Sequence, residues 1–186
     1  MPTNIEIKAR VGSLEKLRPL VASLADAEPE HVVQDDTFFS CPNGRLKLRV
    51  LRDGHGVLIY YRRADEPGPK PSFYVHSETS DPEGLRAVLT EAHGEVGRVR
   101  KHRTVFQIGQ TRVHLDRVAG LGEFLELEVT VGDMLEPDAA VSEAHTLLAA
   151  LGIENSALVS GAYVDLLSAD SVTQAGGCPR ELRREA

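Results

Sequence analysis

The chain has 186 residues, enough for one domain with a substantial core, and its 41% hydrophobic and 26% charged content are those of an ordinary globular protein. A net charge of −7 argues against a general nucleic-acid binder, which carries a basic excess, but leaves room for a small basic pocket. No apolar run approaches the ~20 residues that span a bilayer, the N-terminus lacks the basic and apolar regions of a signal peptide, and two distant cysteines, Cys41 and Cys178, predict reduced thiols in a cytoplasmic protein rather than a disulfide framework or a thiolate zinc site.

The first stretch, Asn4-Ile5-Glu6-Ile7-Lys8-Ala9-Arg10, alternates as a strand does: Ile5, Ile7 and Ala9 point one way, Asn4, Glu6, Lys8 and Arg10 the other. Ser13 is a fitting N-cap for a helix over about 13–27, with Leu14, Leu17, Val21 and Leu24 on one apolar face. Pro19 lies inside it and predicts a kink or an early break. A strand over 31–39 leads into the turn Cys41-Pro42-Asn43-Gly44. Then Arg45, Lys47 and Arg49 alternate strictly with Leu46, Leu48 and Val50, and Asp53-Gly54 turns into a returning strand over 56–63. A proline-rich loop over 65–71 precedes a strand at 72–78. Asp81 and Pro82 then open a helix over 82–93, with Leu85, Val88 and Leu89 as its stripe and Gly94 as its stop.

The second half is mostly strand, at 96–108, 111–118 and 123–131, with turns at Gly109-Gln110 and Ala119-Gly120-Leu121-Gly122. Asp138 opens a helix over 138–151 carrying Val141, Leu147, Leu148 and Leu151, and a short last helix is expected over 158–167. From about residue 169 the apolar pattern stops. The expected organisation is therefore one domain over 1–168 and a disordered tail over 169–186, in which Arg180, Arg183 and Arg184 read as solvated charges. No solenoid or propeller repeat is visible. Strands joined mainly by short turns are antiparallel neighbours, so the fold class is α+β with one large antiparallel sheet or barrel.

The charged faces decide which side is inside. Glu6 and Lys8, Lys47 and Arg49, Lys101 and Arg103, Arg112 with His114 and Asp116, and Glu126 and Glu128 each share one face of a strand, as do Tyr61 and Arg63. For any one strand a solvated charged face is the ordinary reading. Amphipathic helices, however, need an apolar surface to cover, and the Ile/Leu/Val faces are the ones available. If the helices wrap those faces, the charges curl inward, and an eight-strand closure has a polar lumen. Such a lumen is costly without a ligand or mutual pairing. Its cations suit a polyphosphate and its carboxylates suit Mg²⁺ or Mn²⁺.

The same residues resemble the CYTH superfamily, which groups class IV adenylyl cyclases, thiamine triphosphatases and inorganic triphosphatases. Asn4-Ile5-Glu6-Ile7-Lys8 is similar to that family's Glu-x-Glu-x-Lys signature, and Gly44-Arg45-Leu46-Lys47-Leu48-Arg49 to its basic strand. Val99-Arg100-Lys101-His102-Arg103 also fits. So does the most specific piece, the run from His114 to Glu128 with a Gly-Leu-Gly turn before two alternating glutamates. The resemblance covers about residues 4–167 and is closest to the class IV adenylyl cyclase-like group.

It implies an eight-stranded antiparallel β-barrel, a triphosphate tunnel, with helices on its outer face. By position it implies that Lys8, Lys47, Arg49, Lys101 and Arg103, with Arg63 and Arg112 as further candidates, hold the phosphates. Glu6, Glu126, Glu128 and Asp116 would hold Mg²⁺ or Mn²⁺, and Lys8 and Glu6 are the expected catalytic residues. The substrate is expected to be a small-molecule triphosphate: ATP, thiamine triphosphate or inorganic triphosphate. Neither nucleic acid nor membrane is an expected partner, and a homodimer stays open.

Two positions depart from the family pattern. Asn4 stands where the signature has a glutamate, which removes one negative charge from a metal site. Phe38 stands where hydrolytic members often carry a tyrosine thought to help activate water. Cyclisation of ATP, hydrolysis of a triphosphate and binding without turnover therefore remain the three alternatives. Gly120-Leu121-Gly122 lacks the lysine of a nucleotide-binding loop and reads as hairpin punctuation, while His114 reads as a satisfied strand histidine.

Overall fold

Polar–apolar alternation becomes strand at every place where the sequence shows it: β1 (Thr3–Arg10), β2 (Glu30–Phe39), β3 (Arg45–Leu51), β4 (Gly56–Arg63), β5 (Lys70–Thr79), β6 (Glu95–Ile108), β7 (Thr111–Val118) and β8 (Gly122–Val131). The structure, a computed structural model, describes residues 3–131 and 136–175. The strands close into one barrel in the order β1-β5-β4-β3-β2-β6-β7-β8, and every pairing is antiparallel. Closure leaves no open sheet edge. The β7–β8 hairpin turns on Gly120 and Gly122, both at positive φ (79° and 98°), a backbone region that residues with a Cβ rarely enter. The turn reading of that Gly-Leu-Gly stretch holds.

Helices α1 (Leu14–Leu24), α2 (Pro82–His93) and α3 (Pro137–Ala150) lie on the outside of the barrel. α1 covers β6 and β7, α2 covers β2 and β3, and α3 covers β8 and β1. Their apolar faces meet the outward strand residues: Leu14, Leu17, Val21, Ala144 and Leu148 pack with Ile5, Ile7, Val113, Leu115, Leu125 and Leu127. Leu89 of α2 packs with Phe39 and Leu48. This burial is what turns the charged faces inward, because each strand has only two sides.

The helices differ from expectation in detail. α1 runs through Pro19 without a break, since that residue is on the exposed face where the missing backbone donor costs least; it ends at Leu24, which is itself exposed. In α2, Val88 is 63% exposed and lies off the buried stripe.

The last helix, α4, spans Tyr163–Ala175 rather than 158–167. Residues 158 and 159 are held extended instead: Leu158 bridges Ala9, and the Val159 amide donates to the Lys8 carbonyl at 2.9 Å. A short 3₁₀ turn, Asn155–Ala157, precedes them. The carboxylate of Asp165 accepts from the Ala162 amide at 2.7 Å and starts the helix. α4 continues past residue 168, to Ala175. The rest of the expected tail, with Cys178, Arg180, Arg183 and Arg184, lies outside the described residues.

α4 also does something the outer helices do not. Ala162, Tyr163 and Val164 pack with Phe38, Tyr61, Val99 and Phe124, and Tyr163 reaches the barrel interior. Space for this comes from Gly97 on β6, where a Cβ would stand 2.6 Å from the Val164 Cγ2. α4 therefore stoppers one end of the barrel.

Candidate active site

The lumen is a cavity of about 510 Å³. Among its lining residues are Glu6, Lys8, Lys47, Arg49, Arg63, Lys101, Arg103, Arg112, Glu126 and Glu128, which arrive from six different strands by inward parity alone. All of these were expected from the sequence. Asp116 faces inward too but sits beneath the wall, with no exposure at all.

Two buried carboxylates organise the cations. Asp36 on β2 accepts from Lys47 Nζ at 2.7 Å and from Arg49 Nε and Nη2 at 2.7 and 2.8 Å. Burial alone would raise its carboxyl, but Lys47 and Arg49 hold it far below the usual range. Asp116 on β7 does the same for the neighbouring pair. It accepts from Lys101 Nζ at 2.9 Å, from Arg103 Nε and Nη2 at 2.6 Å each, and from the Tyr163 hydroxyl at 2.9 Å. Against burial, Arg103 and Lys101 hold it ionised. With its oxygens so committed, Asp116 stands as a brace for the cations rather than as a free oxygen ligand.

Sequence reasoning gave no role to Asp36 or Tyr163. Strand parity could have found Asp36, which shares the inward face with Gln34 and Phe38 directly across from Arg49. No local pattern marks Tyr163, whose place depends on how α4 docks.

On β1 and β8 acids and bases sit side by side: Glu6 pairs across the strands with Glu128, and Lys8 with Glu126. Glu6 accepts from Arg63, and Glu126 from Arg103 Nη2 at 2.6 Å. Glu128 accepts from Arg112 Nη2 at 2.7 Å and from the Asn4 amide nitrogen. Arg112 is 44% exposed and marks the open mouth. Burial, with Glu6 and Glu126 nearby, pushes the Glu128 carboxyl up. Glu126 instead is held well below its usual value, because Arg103 and Lys8 outweigh burial.

Lys8 is 4% exposed, with Nζ 3.3 Å from the Gly161 carbonyl and 4.0 Å from the centre of the Tyr163 ring. Burial lowers its pKa to about 7; Glu126 opposes this, and Arg63 and Lys101 add to it. The Lys47 pKa falls to about 8, first by burial and then by Arg49.

His114, expected as a satisfied strand histidine, lines the lumen with its Nδ1 unpartnered among the described residues. Burial, reinforced by Arg103, keeps it neutral. The Arg63 Nε is likewise a buried donor without a partner among the described residues. Phe38 is part of the stoppered end, its ring centre 5.5 Å from Lys47 Nζ, with Tyr61 at 5.7 Å beside it.

Among the described residues no three His, Cys, Asp or Glu side chains stand close enough to ligate one ion as they are placed. The donor chemistry nonetheless fits a hard divalent cation. Glu6, Glu126 and Glu128 offer only oxygens from two adjacent strands, with Glu6 directly across from Glu128, and a hard cation takes such carboxylate oxygens as ligands.

The chain is similar to several known proteins. A Methanocaldococcus jannaschii protein named "Putative adenylate cyclase" is 25% identical over 169 residues, covering 87% of this chain and 97% of its own. A solved structure from Pyrococcus horikoshii OT3 superposes with a TM-score of 0.78 at 23% identity, covering 88% of this chain and 99% of that one. A Hippeastrum protein, described as a "putative adenylyl cyclase" that reveals a dominant triphosphatase activity, superposes at 0.62 with 17% identity and covers 97% and 98%. At these identities the two solved structures speak for the fold alone. The family model described as the CYTH domain matches residues 2–163, and the chain belongs to that family.

Proposed function

We propose that this protein is a metal-dependent enzyme acting on a triphosphate in the lumen, in the adenylyl cyclase-like manner that converts ATP to cyclic AMP and pyrophosphate. One observation carries the reading: Lys8, Lys47, Arg49, Arg63, Lys101 and Arg103 converge on one cavity, with Glu6, Glu126 and Glu128 on its β1–β8 wall. A run of phosphate oxygens would exchange places with Glu6 on Arg63 and with Glu126 on Arg103, and would take up the open Arg63 Nε. Asp36 and Asp116 would hold the cations in position meanwhile.

Glu6, Glu126 and Glu128 would hold Mg²⁺ or Mn²⁺, which screens phosphate oxygens and stabilises charge on the leaving pyrophosphate. In cyclisation the ribose 3′ oxygen bonds to the α-phosphorus, and the bond from that phosphorus to the bridging oxygen breaks. Lys8 would take the hydroxyl proton, because a pKa of about 7 leaves much of its amine neutral. The name carried by the M. jannaschii relative supports this choice.

A triphosphatase is the second reading, favoured by the activity stated for the Hippeastrum protein. There the same amine would receive a proton from water attacking the terminal phosphate. Purified protein incubated with ATP, thiamine triphosphate or inorganic triphosphate, each with Mg²⁺ or Mn²⁺, separates the two. Cyclic AMP with pyrophosphate is the expected product, free phosphate would replace cyclase by hydrolase, and binding without product would leave a tunnel that only holds its ligand.

A further inference from the structure

The lumen has two unlike walls. On β6, β7 and β8 the inward positions carry Lys101, Arg103, Arg112, His114, Glu126 and Glu128. On the far side, between the Arg63–Ser72 and Val57–Glu78 pairs, β4 and β5 present Tyr61, Tyr74, Ile59 and His76, none of which carries a fixed charge. The Tyr74 and His76 rings stand parallel within 9°, with centroids 6.1 Å apart. Ile59 is paired with His76, and Tyr61 with Tyr74, so the rings rise from an apolar base.

A bare inorganic triphosphate presents anionic oxygens in every direction, and those facing the Tyr61, Tyr74, Ile59 and His76 stretch of β4–β5 would lose water without gaining a charged donor. A planar ring has the opposite need: an apolar or aromatic surface for its faces and no charge beneath them. The cavity volume of about 510 Å³ also falls in the range of sites for organic ligands, roughly 300–1,000 Å³.

We propose that Tyr74 and His76, on the uncharged β4–β5 wall, form a platform for a planar heterocycle, so that the substrate is an organic triphosphate rather than inorganic triphosphate. This rests on the triphosphate reading above and adds which wall reads the organic group. A nucleobase and the rings of thiamine share that chemistry, and the test separates them.

Calorimetric titration in EDTA, which prevents metal-dependent turnover, is run with ATP, thiamine triphosphate and inorganic triphosphate against wild type, Tyr74→Ala, Tyr74→Phe and His76→Ala. Tyr74→Ala is expected to weaken binding of at least one organic triphosphate about tenfold, the scale of one stacked ring. Inorganic triphosphate should change less than about twofold, and Tyr74→Phe should behave as wild type. The organic ligand that responds identifies the ring.

Equal losses for all three ligands, or no loss for either organic one, would overturn the platform while leaving the tunnel reading intact. Failure of wild type to bind any of the three triphosphates would remove the tunnel reading itself. If Tyr74→Ala does not fold, because Tyr74 packs beside Tyr61, His76→Ala at the exposed mouth carries the same comparison.

Discussion

Lys8 shows how one side chain can have a chemistry set by its surroundings. Its amine is buried, and its cross-strand neighbour Glu126 is shared with Arg103, so the attraction that would keep it charged is diluted. Its folded pKa of about 7 lies below the unfolded value near 10.5, so between those pH values the unfolded chain binds the extra proton. The cost of burying the charge is thus full below pH 7 and relieved as pH rises towards 10. Lys8→Met is therefore expected to gain stability relative to wild type at pH 6 by on the order of a few kcal/mol more than at pH 9.5. Urea denaturation at the two pH values checks it; an equal difference at both would mean that Lys8 titrates normally. That Lys8 points inward was legible from alternation in its own strand. Its lowered pKa was not, because desolvation depends on Tyr163 and Gly161, which arrive from the far end of the chain.

At the scale of elements, the stopper is the clearest case of a contact that no local pattern encodes. α4 docks on β6 where Gly97 lacks a side chain, beside the register shift at Phe38 and Phe39 in the β2–β6 ladder. Gly97→Ala puts a methyl 2.6 Å from the Val164 Cγ2, and overpacking of this kind costs about 1–3 kcal/mol. Val164→Ala removes the clashing atom, so the double variant should recover most of that loss, a coupling that a double-mutant cycle in denaturant measures. Strict additivity would mean that α4 is not seated by this contact. All eight strands were legible from local signals, alternation in strands such as β1 and β3 and β-branched and aromatic content between turns in β4, and the outer helices from their apolar stripes. The last helix was misplaced at both ends. Its start is set by the bridge from Leu158 to Ala9, and its stretch beyond residue 168 has no amphipathic pattern to announce it.

The whole molecule is a device for keeping charge inside a protein of net charge −7. Outer helices bury the apolar strand faces, closure leaves the polar faces nowhere but the lumen, and the lumen satisfies itself by pairing Glu6 with Arg63, Asp36 with Lys47 and Arg49, and Asp116 and Glu126 with Arg103. The two kinds of carboxylate then separate by position. Asp36 and Asp116 are held by two cations each and stay in place when a ligand enters. Glu6, Glu126 and Glu128 face the cavity, where their charge opposes that of a bound phosphate.

Glu126→Gln with Glu128→Gln should therefore have opposite effects in two measurements. Metal-dependent turnover is expected to be abolished, since two of the oxygen donors lose their charge. Affinity for inorganic triphosphate in EDTA is expected to rise by about thirtyfold or more, because each removed carboxylate relieves about 1–2 kcal/mol of repulsion at an effective dielectric near 20 and about 1.4 kcal/mol is a factor of ten. Circular dichroism on the same variant verifies that the barrel is intact, since Arg103 still has Asp116. Full activity in this variant would sink the metal assignment. Weaker binding in EDTA would show that these carboxylates hold the cationic cradle in shape instead of opposing its ligand.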